Sequence, residues 1–200
     1  METVVQSAKM GAILKKLTGL LGAHSKDEQP FLMALDGRCA AGKTTLAAAI
    51  QKETGCQLFH MDDFFLRPEQ RTPKRLAEPG GNVDWERFLS EVLVPVRQGK
   101  AAVYRPYDCQ TGELCPPVTA KISPMVLVEG SYCCHPALWE QYDLRVFLTV
   151  GPHEQQRRIR ARNGKAGLNV FRERWIPLEE RYFAAFDVQN RCELCFSTEE

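Results

Sequence analysis

The segment Gly37-Arg38-Cys39-Ala40-Ala41-Gly42-Lys43-Thr44 has the spacing G-x-x-x-x-G-K-[ST], and Thr45 follows it directly. Each residue type in that pattern has a physical task. Gly37 and Gly42 allow the backbone a positive φ and a close approach to an anion. Successive N–H groups along the loop, from Arg38 to Thr45, can then form a concave nest for phosphate oxygens. Lys43 is long enough to reach a β- or γ-phosphate, and the Thr44 hydroxyl is a hard oxygen suited to Mg²⁺. The flanks agree. Phe31 to Asp36 is an apolar run of strand length, and Thr45 to Lys52 is rich in helix formers. Strand, glycine loop and helix in that order set a helix N-terminus against phosphate. This context separates the segment from a chance match in a Gly/Ala-rich turn.

Working outward, the chain has 200 residues, 44% of them hydrophobic and 26% charged, which suits one globular domain spanning 1–200. The net charge of +1 gives no bulk argument for nucleic acid or for a membrane surface as partner. No run of 18 apolar residues suggests a membrane span. Glu2 and the Lys15-Lys16 pair argue against a secretory leader. Residues 1–28 are instead expected to hold an amphipathic helix over about 3–22, with Met10, Ile13, Leu14, Leu17, Leu20 and Leu21 on one face. Eight cysteines without a leader read as reduced thiols of a cytoplasmic protein. Cys192-x-x-Cys195 has no second pair to complete a zinc site. Cys39, inside the loop, reads either as a tolerated loop residue or as an oxidisable one.

The remaining elements alternate. A strand is expected from Gln57 to Met61, ending at Asp62-Asp63, and an irregular stretch rich in Pro and Gly from Arg67 to Val83. Asp84 opens a helix carrying Trp85, Phe88, Leu89, Val92 and Leu93 on one face. A second loop covers about 105–124. Strands come next at Met125–Val128, closing on Glu129-Gly130, and at Leu144–Val150. Two helices and a last strand at 192–197 complete the chain. Such alternation predicts an α/β fold with a parallel central sheet flanked by helices. In these sheets ligands bind beyond the carboxyl ends of the strands. Asp36-Gly37, Asp62-Asp63 and Glu129-Gly130 therefore converge on one edge.

Chemistry can be assigned to these groups. Glu129, at the end of an apolar strand, stands where a Walker-B acid holds Mg²⁺ beside Thr44. Asp62 or Asp63 can orient and deprotonate an acceptor hydroxyl near a γ-phosphate, though either could also serve a strand-end turn. Arg157, Arg158, Arg160 and Arg162 form a basic segment. Arg158 and Arg162 share a helix face at i,i+4 and could cover a phosphoryl group in transfer; the alternative is a solvated basic helix.

Together these motifs resemble the uridine kinase family, within the wider group that includes phosphoribulokinase and pantothenate kinase. The likeness runs from about residue 31 to 187. It rests on Asp36 through Thr45, on His60-Met61-Asp62-Asp63-Phe64-Phe65, and on Val126-Leu127-Val128-Glu129-Gly130. The resemblance implies a P-loop NTPase fold with an arginine-rich lid over 152–168, ATP and Mg²⁺ as cofactors, and a cytoplasmic phosphotransferase of nucleoside salvage. The implied partner is a small-molecule alcohol, most simply the 5′-OH of uridine or a related nucleoside. Nicotinamide riboside or pantothenate is the alternative, and a non-catalytic nucleotide binder a remoter one. Oligomeric state stays open. By resemblance Asp62 is the general base, Lys43, Arg158 and Arg162 assist catalysis, and Thr44 and Glu129 hold metal. Residues 37–45 bind the donor. Asp62, Phe64, Asp84, Tyr107 and Arg158 contact the acceptor. The pattern also departs from the family. Arg162-Asn163-Gly164-Lys165 replaces an Arg-Gly-Arg element, Phe171 to Glu179 is dissimilar, and Gln110 and Thr111 stand where a base-reading histidine is usual. No Asn-Lys-x-Asp guanine-reading motif is present, which argues against a GTPase switch.

Overall fold

The structure is a computed structural model in which residues 5–24, 26 and 29–198 are described. Strand β1 (Val5–Ser7) precedes helix α1 (Met10–Ala23); strand β2 (Phe31–Gly37) leads through the glycine loop into α2 (Lys43–Thr54), and β3 (Gln57–His60) comes next. After the loop that follows β3 come α3 (Trp85–Phe88), β4 (Met125–Glu129), β5 (Leu144–Thr149), α4 (Pro152–Val170), α5 (Ile176–Phe186) and β6 (Leu194–Ser197). The six strands form one sheet in the order β1-β6-β5-β2-β4-β3, and every pairing is parallel.

Parallel strands buried on both faces need apolar side chains at consecutive positions. β2 supplies them. Leu32 and Ala34 join a core with Phe59, Phe64, Phe147 and Tyr182, whereas Met33 and Leu35 join a second core with Ile13, Leu17, Leu46 and Ile50. Helix α1 buries Ile13, Leu17 and Leu21 in that second core, each worth roughly 1.5–3 kcal/mol on the scale of complete side-chain burial. Gly37 closes β2 at φ +134°, and a Cβ built there would lie 2.0 Å from the Leu148 carbonyl oxygen. Gly37→Ala is expected to cost about 3 kcal/mol or more, through backbone strain and overpacking. A thermal melt of the variant checks this.

The expected helix over 3–22 is shorter than the sequence suggests, and its part within 1–4 lies outside the described residues. Val5–Ser7 is a strand paired in parallel with β6, Val5 opposite Cys195. The free edge of β6 offers unpaired N–H and C=O groups, and satisfying them outweighs helical periodicity at these positions. The expected strand to Met61 stops at His60, where a 3₁₀ turn covers Met61–Phe64. Two helices contain π-turns, Leu89–Leu93 ahead of Pro95 and Phe171–Trp175 ahead of Pro177. Proline has no N–H for the helical ladder, and a wider turn absorbs the mismatch. The second π-turn carries Glu173, Arg174 and Trp175 to the rim of a cleft at the strand ends. Among the described residues no helix is long and apolar enough to cross a membrane.

Candidate active site

The cleft, of about 1630 Å³, opens at the carboxyl ends of the strands, and it is lined by Cys39, Ala40 and Gly42–Thr45 of the glycine loop together with Asp62, Glu129 and Ser131. The loop wraps as the motif requires. Ala40 and Gly42 take positive φ, +61° and +92°. Gly42 caps α2 with no side-chain hydrogen bond, so the first N–H groups of α2 are open to an anion. Lys43 lies along the loop: Nζ donates to the carbonyls of Gly37 at 2.5 Å and Arg38 at 3.0 Å, and to Ser131 Oγ at 3.4 Å.

Not every loop side chain faces the cleft. Arg38 points away, donating through Nε and Nη2 to Glu180 at 2.7 and 2.9 Å and through Nη1 to Thr149 Oγ1 at 2.6 Å. Only its backbone can serve a phosphate. Ala41 is buried, and its carbonyl accepts from Thr198 Oγ1 at 3.0 Å. The Cys39 thiol lies 3.3 Å from Gln155 Nε2, and burial pushes its pKa well up, against a reactive thiolate.

Register brings the acids together. Glu129 lies opposite both Leu35 of β2 and His60 of β3. Thr44 Oγ1 is 3.3 Å from each Glu129 carboxylate oxygen, and His60 Nδ1 is 2.6 Å from Oε1. That bond holds the His60 pKa above its ordinary value. Crowding by protein raises the Asp62 pKa, and the neighbouring Glu129 charge adds to it, so Asp62 is a stronger base than a free carboxylate. A hydroxyl and a carboxylate in contact offer hard oxygens that suit Mg²⁺.

Beneath the loop Asp36 is fully buried and accepts four hydrogen bonds. Gly37 N and Tyr132 N donate to Oδ1 at 2.7 and 3.3 Å, and Cys134 N and Tyr182 Oη donate to Oδ2, both at 2.9 Å. It ties β2, the turn after β4 and helix α5 together.

The two arginines expected to cover a phosphoryl group differ from each other. Both Arg158 and Arg162 line the cleft. Arg158 is occupied, donating to Glu154 at 2.7 Å, to the Thr198 carbonyl and Oγ1 at 2.7 and 3.1 Å, and to the Ala40 carbonyl at 3.3 Å. Among the described residues Arg162 donates only to its neighbour Asn163, at 2.8 Å, beside the Phe171 ring. The helix breaks at Gly164, with φ 71° and ψ −177°.

Three expected acceptor contacts are corrected by the packing. Phe64 is fully buried against Phe88 and Tyr104; of these two adjacent phenylalanines it is Phe65 that lines the cleft. Asp84 is 3% exposed and caps α3, accepting from Arg87 N at 3.1 Å and Gln70 Nε2 at 2.8 Å. Tyr107 is buried under Arg71, whose Nη2 donates to its hydroxyl at 2.9 Å. Asp84 and Tyr107 are absent from the cleft wall among the described residues.

Sequence reading missed Glu179 and Ser131. Glu179 is buried; its Oε2 accepts from Cys39 N at 2.9 Å and its Oε1 from Ser131 Oγ at 2.6 Å. With the Ser131–Lys43 contact this closes a circuit from α5 to the loop lysine. No local pattern in Leu178-Glu179-Glu180 separates the two glutamates; their burial, 5% against partly exposed, does.

No family model and no curated protein sequence matches the chain. Solved structures do. A possible uridine kinase from Bacillus stearothermophilus is 20% identical, with a TM-score of 0.70 over 94% of this chain and 98% of that one. YFH7 from Saccharomyces cerevisiae, proposed as a P-loop containing kinase with a circular permutation, is 10% identical, with a TM-score of 0.71 over 96% and 100%. D-glycerate 3-kinase from Cryptococcus neoformans is 16% identical, with a TM-score of 0.58 over 92% and 93%. The chain therefore has the P-loop α/β fold that these structures share.

Proposed function

We propose that this protein is a uridine kinase-like P-loop kinase that transfers the γ-phosphoryl group of ATP to the hydroxyl of a small molecule. The observation that carries the reading is the convergence of Lys43, Thr44, Asp62 and Glu129 on one cleft. A nucleotide switch needs the loop, the lysine and the metal ligands; a base with a raised pKa beside them suits transfer to an acceptor.

In this reading the loop amides and Lys43 hold the donor phosphates, and Thr44 and Glu129 would hold Mg²⁺. When bound, the ion would supply positive charge against the charge of the phosphates. Asp62 accepts the hydroxyl proton as the acceptor oxygen bonds to the γ-phosphorus and the bond to the bridging oxygen breaks, releasing ADP. Arg162 has no carboxylate partner among the described residues and is free to meet charge on the phosphoryl group. Arg158 braces the lid against the loop and the end of β6. His60, fixed on Glu129, orients that carboxylate.

The 5′-OH of uridine is the acceptor named by the motif resemblance, with nicotinamide riboside and pantothenate as sister acceptors. Release of ADP from ATP, measured with and without each compound, tests the reading. Acceptor-dependent release supports a kinase. Slow hydrolysis of GTP alone would make the protein a switch, and nucleotide binding without turnover would make it a binder.

A further inference from the structure

The acceptor side of the cleft holds three guanidinium groups that are positioned without being neutralised. Arg71 donates through Nε to the Leu66 carbonyl and through Nη2 to the Tyr107 hydroxyl, both at 2.9 Å, and its guanidinium sits 5.7 Å from the Tyr107 ring centre. Arg181 donates to the carbonyls of Leu76 and Glu78 at 3.1 and 3.2 Å. Arg174 stacks on Trp175 at 4.6 Å. All three line the cleft, as do Asp62, Phe65, Leu76 and Trp175. Among the described residues none of the three has a carboxylate partner. Several arginines elsewhere are paired with carboxylates, Arg38 with Glu180, Arg87 with Glu91, Arg97 with Asp143 and Arg145 with Glu193, whereas Arg105 and Arg191, held by carbonyls, lie outside the cleft wall.

A carbonyl, a phenol or an indole fixes the direction of a guanidinium and leaves its charge uncompensated. Three such groups in one concavity create a positive potential that attracts and orients an anion. The donor phosphates have their own partners in the loop amides, Lys43 and Arg162. The aromatic face that would meet a nucleobase by family resemblance is meanwhile covered, because Arg71 lies on Tyr107.

We infer that the acceptor is an alcohol already carrying a negative group, a carboxylate or a phosphate, which Arg71 binds with Arg174 and Arg181 while Asp62 faces the hydroxyl. The inference rests on the kinase reading and narrows its substrate class. The transfer balances as before: the acceptor oxygen gains the phosphoryl group, ADP leaves, and the proton passes to Asp62.

The test is ADP release on matched pairs: D-glycerate with glycerol, pantothenate with panthenol, and ribulose 5-phosphate with ribulose, with uridine as a neutral reference. The expected result is kcat/KM for an anionic member about a hundredfold above its neutral partner; the carboxylate and phosphate pairs tell which group is read. Arg71→Gln should then raise the KM for that acceptor about tenfold to a hundredfold, the range for a lost hydrogen bond to a charged group, with the KM for ATP within about twofold. Arg71→Lys should restore part of the loss. Arg174 makes no hydrogen bond among the described residues, so Arg174→Gln tests the same charge without disturbing the loop, and its acceptor KM should rise too. Best turnover of uridine or another neutral alcohol, turnover of no anionic compound, or an unchanged acceptor KM in both glutamine variants would overturn the inference. Failure of the kinase reading shows differently, as ADP release that no compound stimulates, charged or neutral, uridine included.

Discussion

Replacing Asp62 by asparagine is expected to lower acceptor-dependent ADP release by about a thousandfold, within the range of a lost general base, while MgATP still binds. Asparagine keeps the shape and the polarity of the side chain and removes the proton acceptor. The raised pKa of Asp62 has three sources, burial, the Glu129 charge and the Asp63 charge. All of them strengthen it as a base, and Asp62 itself is not among the groups proposed to hold the donor. Binding and turnover should therefore separate, ATP affinity staying within a few-fold by calorimetry as kcat collapses. Wild-type-like kcat would remove Asp62 from the mechanism. A parallel loss of ATP binding would mean that Asp62 organises the donor site instead.

The reasons that Asp62 was legible and Phe65 was not are geometric. Strand-end acids after apolar runs mark the edge where ligands bind in parallel sheets, so Asp62 and Glu129 stand out in the sequence. The residues just after Asp62 are placed by a 3₁₀ turn, in which residues three apart share a side. Met61 and Phe64 both turn into the core, and Asp62 and Phe65 both line the cleft. Alternation carried on from the strand gives no reason to prefer the second phenylalanine. Asp84 shows the same ambiguity. An aspartate opening a helix reads equally as a cap or as a ligand, and its bonds to Arg87 N and Gln70 make it a cap. The glycine loop is different because its task is local. Backbone conformation at eight consecutive residues does the work, and distant partners hardly matter. Glu179 lies at the other extreme, since only tertiary packing brings it 140 residues back to the Cys39 amide. Arg71, Arg174 and Arg181 belong with it. Their types are plain in the sequence, but their lack of carboxylate partners among the described residues is a property of the folded chain.

Asp36→Asn should be the most damaging near-isosteric change to the fold, by about 3–4 kcal/mol, the scale for leaving a buried donor unsatisfied and losing hydrogen bonds to a charged group. At roughly 2–4 °C per kcal/mol for a chain of this size, Tm should fall by about 6–16 °C. Hydrogen-bond valence is the cause. A carboxylate only accepts, and here every neighbour donates: two N–H groups to Oδ1, an N–H and a hydroxyl to Oδ2. An asparagine amide must turn its NH₂ toward one pair. Facing Gly37 and Tyr132, it meets two amides that cannot rotate. Facing Cys134 and Tyr182, it meets one rigid amide and one hydroxyl able to turn and accept, so this orientation prevails and the Cys134 amide loses its partner. Burial also sets the pH dependence. It lifts the Asp36 pKa from 3.8 to about 6 against the opposing pull of the Cys134 amide, Lys43, the Gly37 amide and Tyr182. A carboxyl whose pKa is higher in the folded than in the unfolded chain favours folding most when protonated. Its contribution is complete below about 3.8 and is lost as pH rises through about 6. The asparagine variant has no such titration. The stability gap between wild type and variant should therefore be wider at pH 4 than at pH 7, by about 3 kcal/mol at most. Denaturant melts at the two pH values measure it, and a gap that narrows on acidification would show that the four donors hold Asp36 ionised throughout.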